Sequence, residues 1–248
     1  MRDFEILAAS YLGPGGYGNH RNAFVAWPPH LQARFRKGEL ADLHWSLLFD
    51  SDPARFERMD LMSRLGLMAV KLLAAGLESK PAEWRDRTGV CVETCAGSLA
   101  TDLSFLQTPR ASLFAYTLPS TVIGEICIRY RLRGPVLCLV TPPGAGPETP
   151  GALVEAIDWL DQGEAAACLC VRSEGVDQRC ADILPEGLAP SAWYGCAALV
   201  GLPDIELPRA ETPALQSGTN PTPLALNLDG KLSLAELCRS LCSVPEQT

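Results

Sequence analysis

Residues 112–172 constrain this chain more than any other stretch. They read SLFAYTLPSTVIGEICIRYRLRGPVLCLVTPPGAGPETPGALVEAIDWLDQGEAAACLCVR. The order is helix, strand, sharp turn, helix, strand. Pro119-Ser120 opens a helix and Gly134-Pro135 closes it, because proline suits a first turn and the residue before a proline avoids helix. Val136 to Thr141 is a short apolar run, the pattern of a strand covered on both faces. Leu153, Ala156, Ile157 and Leu160 then recur at helical spacing, Gly163 ends that helix, and Ala166 to Val171 forms a second buried strand. Strand, helix, strand at this length requires a right-handed crossover between parallel strands. In such folds the functional atom sits on the turn after the first strand, beneath the helix N-terminus. That turn, Thr141-Pro-Pro-Gly-Ala-Gly146, supplies no nucleophile, acid or base.

The chain begins with one strand, Phe4 to Ser10, followed by Gly13-Pro-Gly-Gly-Tyr-Gly18. The glycines match G-x-G-x-x-G, but a dinucleotide site needs a helix opening at that turn, and Asn19 to Trp27 runs briefly into Pro28-Pro29. A plain loop is the expected structure. Residues 28–57 read as irregular. His20, His30 and His44 have no cysteine or carboxylate at ligand spacing, which makes them loop or surface histidines. Asp60 to Leu77 is a helix with Leu61, Leu65, Met68, Leu72 and Leu73 on one stripe, nearly apolar all round and therefore buried between layers. Gly89 to Thr94 is a central strand. Cys91 and Cys95 straddle its end without a third ligand, so no zinc site is expected. Cys95 has no histidine that the sequence can place beside it, and the structural reading holds for Cys238 and Cys242 as well. Past Leu202, Pro203, Pro208, Pro213, Pro221 and Pro223 mark an extended segment. Ser233-Leu-Ala-Glu236 has capping-box form and starts a short amphipathic helix, over about 233–243, that should dock on the domain or on a partner.

Composition narrows the class. At 248 residues and 47% hydrophobic, the chain can bury a full core. Its formal charge of −8 and the lack of a basic stripe argue against a nucleic-acid partner. No apolar run approaches the ~18 residues of a membrane span, and no signal peptide is visible. Six of the ten cysteines, Cys91, Cys127, Cys138, Cys168, Cys170 and Cys196, lie inside apolar runs, where a free thiol acts as a small hydrophobe. A reducing, cytoplasmic setting is the simplest reading.

Arg129-Tyr-Arg-Leu-Arg-Gly-Pro135, then strand, turn, helix and Gln162-Gly163-Glu164, resembles the N-terminal half of β-ketoacyl synthases, of the thiolase fold. In those enzymes a "GLRGP" segment and a short strand precede Thr-Ala-Cys-Ser-Ser. Four further pieces follow in the same order. Met1 to Gly18 is similar to the first strand and its glycine loop, and Arg58-Met-Asp60 with Ser63-Arg64 to the "RRMDRFSR" helix. Gly89 to Gly97 is similar to "GVVVGTGxGG", and Tyr194 to Gly201 to "GEGAGAFVLE". The resemblance implies an α/β half-thiolase fold with a mixed five-stranded sheet and covering helices over residues 1–203. A Pro-rich tail follows over residues 204–248.

Counting from Gly134-Pro135 puts the family's cysteine at Pro143, which cannot attack a thioester. No histidine follows His44, and the sequence ends where the family's second half, with its two histidines, would begin. The resemblance therefore implies a non-catalytic, chain-length-factor-like subunit of aryl-polyene or highly reducing polyketide systems. It would pair with an active ketosynthase, meet acyl carrier protein transiently, and need no cofactor or metal. Leu99, Leu103, Phe105, Leu106, Phe114 and Tyr116 become tunnel or interface candidates, against simple core packing. A half fold alone would leave one face of its layers poorly covered, which favours an obligate apolar interface. Two other classes stay open: an acyl-transfer enzyme using another cysteine, and a stand-alone homodimeric binding or scaffold protein.

Overall fold

The computed structural model describes residues 4–50, 55–73, 76–141, 151–180, 182–184, 193–202, 224–225 and 234–242. In chain order the elements are β1 (Glu5–Gly13), β2 (Gly16–Asn19), β3 (Asn22–Ala26), α1 (Pro29–Phe35), α2 (Leu61–Leu72), α3 (Ala82–Asp86) and β4 (Thr88–Thr94). Then come α4 (Leu99–Gln107), α5 (Ala111–Phe114), α6 (Thr121–Tyr130), β5 (Val136–Val140), α7 (Ala152–Gln162), β6 (Ala167–Gly175), β7 (Trp193–Gly201), β8 (Leu224–Ala225) and α8 (Leu234–Leu241).

One mixed sheet organises them, in the order β3-β2-β1-β7-β6-β4-β5, with β8 pairing β1 beside that path. β4 pairs in parallel with both β5 and β6, so the crossover through α7 skips over β4. β7 runs antiparallel between β6 and β1. These five strands are the ones expected. The β2–β3 hairpin and β8 extend the sheet to eight strands.

Alternation along the strands sorts side chains onto two faces. Val90, Val92, Leu169, Val171, Ala197 and Leu199 point to one core, where α2 and α6 pack with Leu65, Met68, Val122 and Ile126. Cys91, Cys168, Cys170, Cys196, Ala198 and Val200 point to the other, beneath Ala152, Ala156, Ile157 and Leu160 of α7 and Leu234, Leu237 and Cys238 of α8. All ten cysteines are free. Cys168 and Cys170 donate weakly to the Ala156 and Ala152 carbonyls of α7 at 3.5 Å each, so small polarizable side chains let that helix sit close to the sheet.

Local rules place the helix ends. Asp60 accepts from the Ser63 N–H at 3.0 Å and caps α2, whose nine buried residues make it the layer helix the apolar stripe predicts. The Asn19 amide donates to Leu72 O at 2.8 Å and Ser10 Oγ to Ala69 O at 2.6 Å, so the sheet satisfies carbonyls at the C-terminal end of α2. Gly163, at φ 77°, ends α7 as expected.

Four expectations change. The Gly13–Gly18 stretch is not a plain loop: it turns β1 into β2, and no helix opens there. Within residues 28–57 a short helix, α1, forms, and its Phe35 packs edge-on against Trp193 with ring centroids 5.5 Å apart. His20 stays a loop histidine, in the turn between β2 and β3, where its Nδ1 accepts from the Ala9 amide at 3.1 Å and partial burial holds its pKa down at about 4. β5 is an edge strand, not one covered on both faces; Val136 and Val140 are 54% and 58% exposed. Finally, α7 and α8 cover the sheet face that a half fold was expected to leave bare.

α6 also ends before Gly134-Pro135. It stops at Tyr130, with Arg131 in the left-handed region at φ 56°. A side chain with a Cβ is strained there, and glycine is not. Replacing Arg131 with glycine should therefore raise stability by about 0.5–1 kcal/mol, read as a later midpoint in urea with an unchanged slope.

Candidate functional site

The C-terminal ends of β4 and β6, together with the start of α7, form the place where a parallel crossover fold presents its chemistry. Pro143 lies outside the described residues. What does surround the start of α7 is an ionic cluster of four side chains: Glu93 and Cys95 at the end of β4, and Arg172 and Glu174 on β6.

Each is placed by strand alternation. Glu93 pairs in register with Arg172 across the parallel β4–β6 ladder, and both continue the row of Cys91, Cys168 and Cys170 on the α7 face. Arg172 Nη1 lies 2.5 Å from Glu93 Oε1, and Nη2 donates to Cys95 Sγ at 2.8 Å. The other Glu93 oxygen, Oε2, accepts from the Ala152 N–H at 3.0 Å. A carboxylate thus sits directly on the positive end of α7. Gly151 permits this approach, since a Cβ there would lie 2.8 Å from Glu93 Oε2.

Glu174 is fully buried and holds the turn that leaves β4. It accepts from the Cys95 N–H at 2.6 Å, the Ala96 N–H at 3.2 Å and the Thr94 hydroxyl at 3.1 Å. Burial pushes its carboxyl above the ordinary glutamate value, while those donors and Arg172 pull it down. Burial also works against the Arg172 charge, yet Tyr194, Glu93, Cys95 and Glu174 more than offset it and raise its pKa. Two buried carboxylates, one guanidinium, the helix terminus and two backbone amides leave the group close to electrically balanced.

This arrangement is poor at nucleophilic chemistry. Cys95 is 6% exposed, and burial, then the Glu174 charge, push its thiol up to about 11 against the pull of Arg172. At pH 7 that leaves on the order of one thiolate in ten thousand. No histidine belongs to the cluster. Among the described residues no group of three or more His, Cys, Asp or Glu is placed to hold a metal ion. No described helix is long and apolar enough to cross a membrane.

The six tunnel or interface candidates are only partly brought together. Phe105 and Phe114 meet with ring centroids 5.7 Å apart. Leu106 and Phe114 are 75% and 62% exposed, Leu99 and Leu103 half-buried on α4. Tyr116 turns inward, buried, and its hydroxyl donates to Glu125 at 2.8 Å. Sequence reasoning missed Glu93, Arg172 and Glu174 altogether. The signal was present, since a charge inside the apolar runs GVCVETC and ACLCVRSEG has to be paired wherever the strand is buried.

Cys95 supplies a direct test of this chemistry. Its labelling by iodoacetamide should be negligible at pH 7.5 and should rise about tenfold per pH unit towards pH 11. Site-resolved mass spectrometry reads the rate.

With the geometry in place, comparison with known proteins can be set beside it. No curated protein sequence matches the chain. Solved structures do. The ishigamide ketosynthase/chain length factor superposes with a TM-score of 0.56 at 20% identity, over 83% of this chain and 64% of that one. A ketosynthase (ApeO) in complex with its chain length factor (ApeC) from Xenorhabdus doucetiae gives 0.54 at 14% identity, over 82% and 80%. A type II polyketide acyl-carrier protein complex with its ketosynthase (AntDE:AntF) gives 0.55 at 13% identity, over 82% and 63%. The chain thus spans slightly less than two thirds of the first and third of these chains, and at such identities the likeness is one of fold. The sequence profile of the beta-ketoacyl synthase N-terminal domain matches residues 32–176, more than half of the chain. This protein belongs to the β-ketoacyl synthase N-terminal domain family.

Proposed function

We propose that this chain is a non-catalytic, chain-length-factor-like subunit that pairs with an active β-ketoacyl synthase and shapes its acyl tunnel. The observation that carries the reading is the β5 edge. Six of the ten exposed large apolar side chains among the described residues fall within residues 106–140: Leu106, Phe114, Leu118, Ile128, Val136 and Val140. An edge strand that pairs on one side only among the described residues, and that carries exposed valines, invites another strand. α6, which packs against both β4 and β5, carries the exposed Ile128. Such a concentration of apolar surface suits a lasting interface rather than solvent.

The chemistry of the crossover supports the same reading. Pro143 stands at the position where the resemblance puts the acyl-accepting cysteine. The two thiols close to the start of α7, Cys95 and Cys170, are both held protonated by their surroundings, burial first. This weighs against the acyl-transfer alternative. In the complex, α4 and α5 would contribute Leu99, Leu103, Phe105, Leu106 and Phe114 to the partner's tunnel wall, with Tyr116 behind them. Acyl carrier protein would visit the assembled pair in a cytoplasmic polyketide or aryl-polyene-type pathway.

Co-expression with an active ketosynthase, followed by size-exclusion chromatography with mass measurement, tests this reading. A one-to-one complex with condensing activity absent from either chain alone is the expected result. Val140→Asp should weaken the complex at least about tenfold, since a charge would then be buried at the interface core. A homodimer that ignores the ketosynthase would instead establish the scaffold alternative.

A further inference from the structure

We infer that the N-terminal end of β5, where the chain leaves α6 and enters the edge strand, is an arginine rim of the interface, and that the partner ketosynthase meets it with an acidic protein surface that steers association. The assignment rests on the pairing proposed above and adds the charge that the partner carries at this place.

Two segments converge at this end of the sheet. The Arg133 N–H donates to Arg85 O at 3.0 Å and the Val90 N–H to Pro135 O at 2.9 Å, so the α6–β5 linker is laced to α3 and to β4. Residues 78–87 and 129–133 carry six Lys or Arg against three Asp or Glu, in a chain whose formal charge is −8. A locally positive surface therefore stands out from an acidic molecule. Arg129, Arg131 and Arg133 fall between the exposed Ile128 and Val136. Charge flanking exposed apolar residues is the pattern of an interface core and its rim.

The neighbouring carboxylates do not consume these arginines. Glu78 is shared by Lys71 at 3.1 Å and Arg129 at 3.9 Å, and Asp86 lies 3.5 Å from Arg133. Such exposed pairs hold their partners weakly. Arg85 and Arg131 have no ion pair among the described residues. Arg85 and Arg129 each keep a buried Nε–H without an acceptor among the described residues. This end of the sheet is rich in guanidinium donors and short of acceptors. A carboxylate is the acceptor that a guanidinium binds best, through two parallel hydrogen bonds.

Arg131 stands out among them. Its backbone is left-handed at φ 56°, where a side chain with a Cβ is strained. Its side chain is exposed and makes no hydrogen bond or ion pair with a described residue. The fold gains nothing from an arginine there. A strained position held by a side chain that the fold does not use is accounted for by a contact made outside it.

Association of the full chain with an active ketosynthase, followed by biolayer interferometry between about 20 mM and about 0.5 M NaCl, tests the rim. The association rate constant should fall at least about tenfold across that range. Arg131→Gly should slow association at least about threefold at low salt while its urea midpoint rises, so that speed and stability move in opposite directions. Arg131→Glu/Arg133→Glu should slow it at least about tenfold at low salt, and the difference from the parent should vanish at high salt. An association rate indifferent to salt, or parent-like rates in both variants, would overturn the acidic partner surface and leave the pairing in place. Salt-sensitive self-association of this chain alone would put a second copy on the rim and overturn it as well. No complex at any salt concentration would remove the pairing and the rim together.

Discussion

A sheet with apolar side chains on both faces cannot expose either one to water, and this constraint shapes everything else in the molecule. The strands β4, β6 and β7 are buried almost throughout. Their alternate residues feed two cores, so two layers of helices are required. α2 and α6 supply one, α7 and α8 the other. Once both faces are closed, the outer strands left among the described residues are β3 and β5, and β5 carries the two more exposed valines, Val136 and Val140. The interface assigned to a partner follows from what the faces have already consumed.

At the C-terminal ends of the parallel strands the same economy appears in electrostatic form. In the enzymes this chain resembles, the start of the crossover helix activates a nucleophile. Here the helix amide of Ala152 is taken by Glu93, whose other oxygen is taken by Arg172. The guanidinium also touches Cys95, and Glu174 ties the backbone of the β4 turn. Removing one member of a buried ionic group typically costs about 3–5 kcal/mol, because the charge left behind has lost its partner. The cluster therefore reads as a brace that fixes β4, β6 and α7 relative to one another. It leaves no thiolate to spare.

Much of this was legible in the sequence where local rules and burial agree. Gly163 after an apolar stripe ended α7 where expected, and Asp60 opened α2. The order of degenerate motifs between Arg58 and Gly201 was specific enough to indicate the half-thiolase arrangement. The misses have physical causes. Val136 to Val140 is uniformly apolar, and a run of that kind looks the same whether it is buried in the protein's own core or waiting at an edge. Arg131 in a left-handed cap has no sequence signature, so the end of α6 was placed at Gly134-Pro135. The Gly13–Gly18 turn belongs to a hairpin because Trp27 closes over it, donating from Nε1 to Gly13 O at 2.8 Å, a contact across fourteen residues that local pattern does not carry. Glu93, Arg172 and Glu174 are paired only by strand register, which requires the sheet.

The central claim is that the β5 edge, and not the α7–α8 layer, meets the partner. Hydrogen exchange on this chain with and without an active ketosynthase tests it most directly. The account predicts new protection of backbone amides in residues 136–140 and on the outward side of α6, with α7 and α8 unchanged. Protection concentrated on residues 152–162 and 234–241, with β5 exchanging as in the free chain, would contradict it.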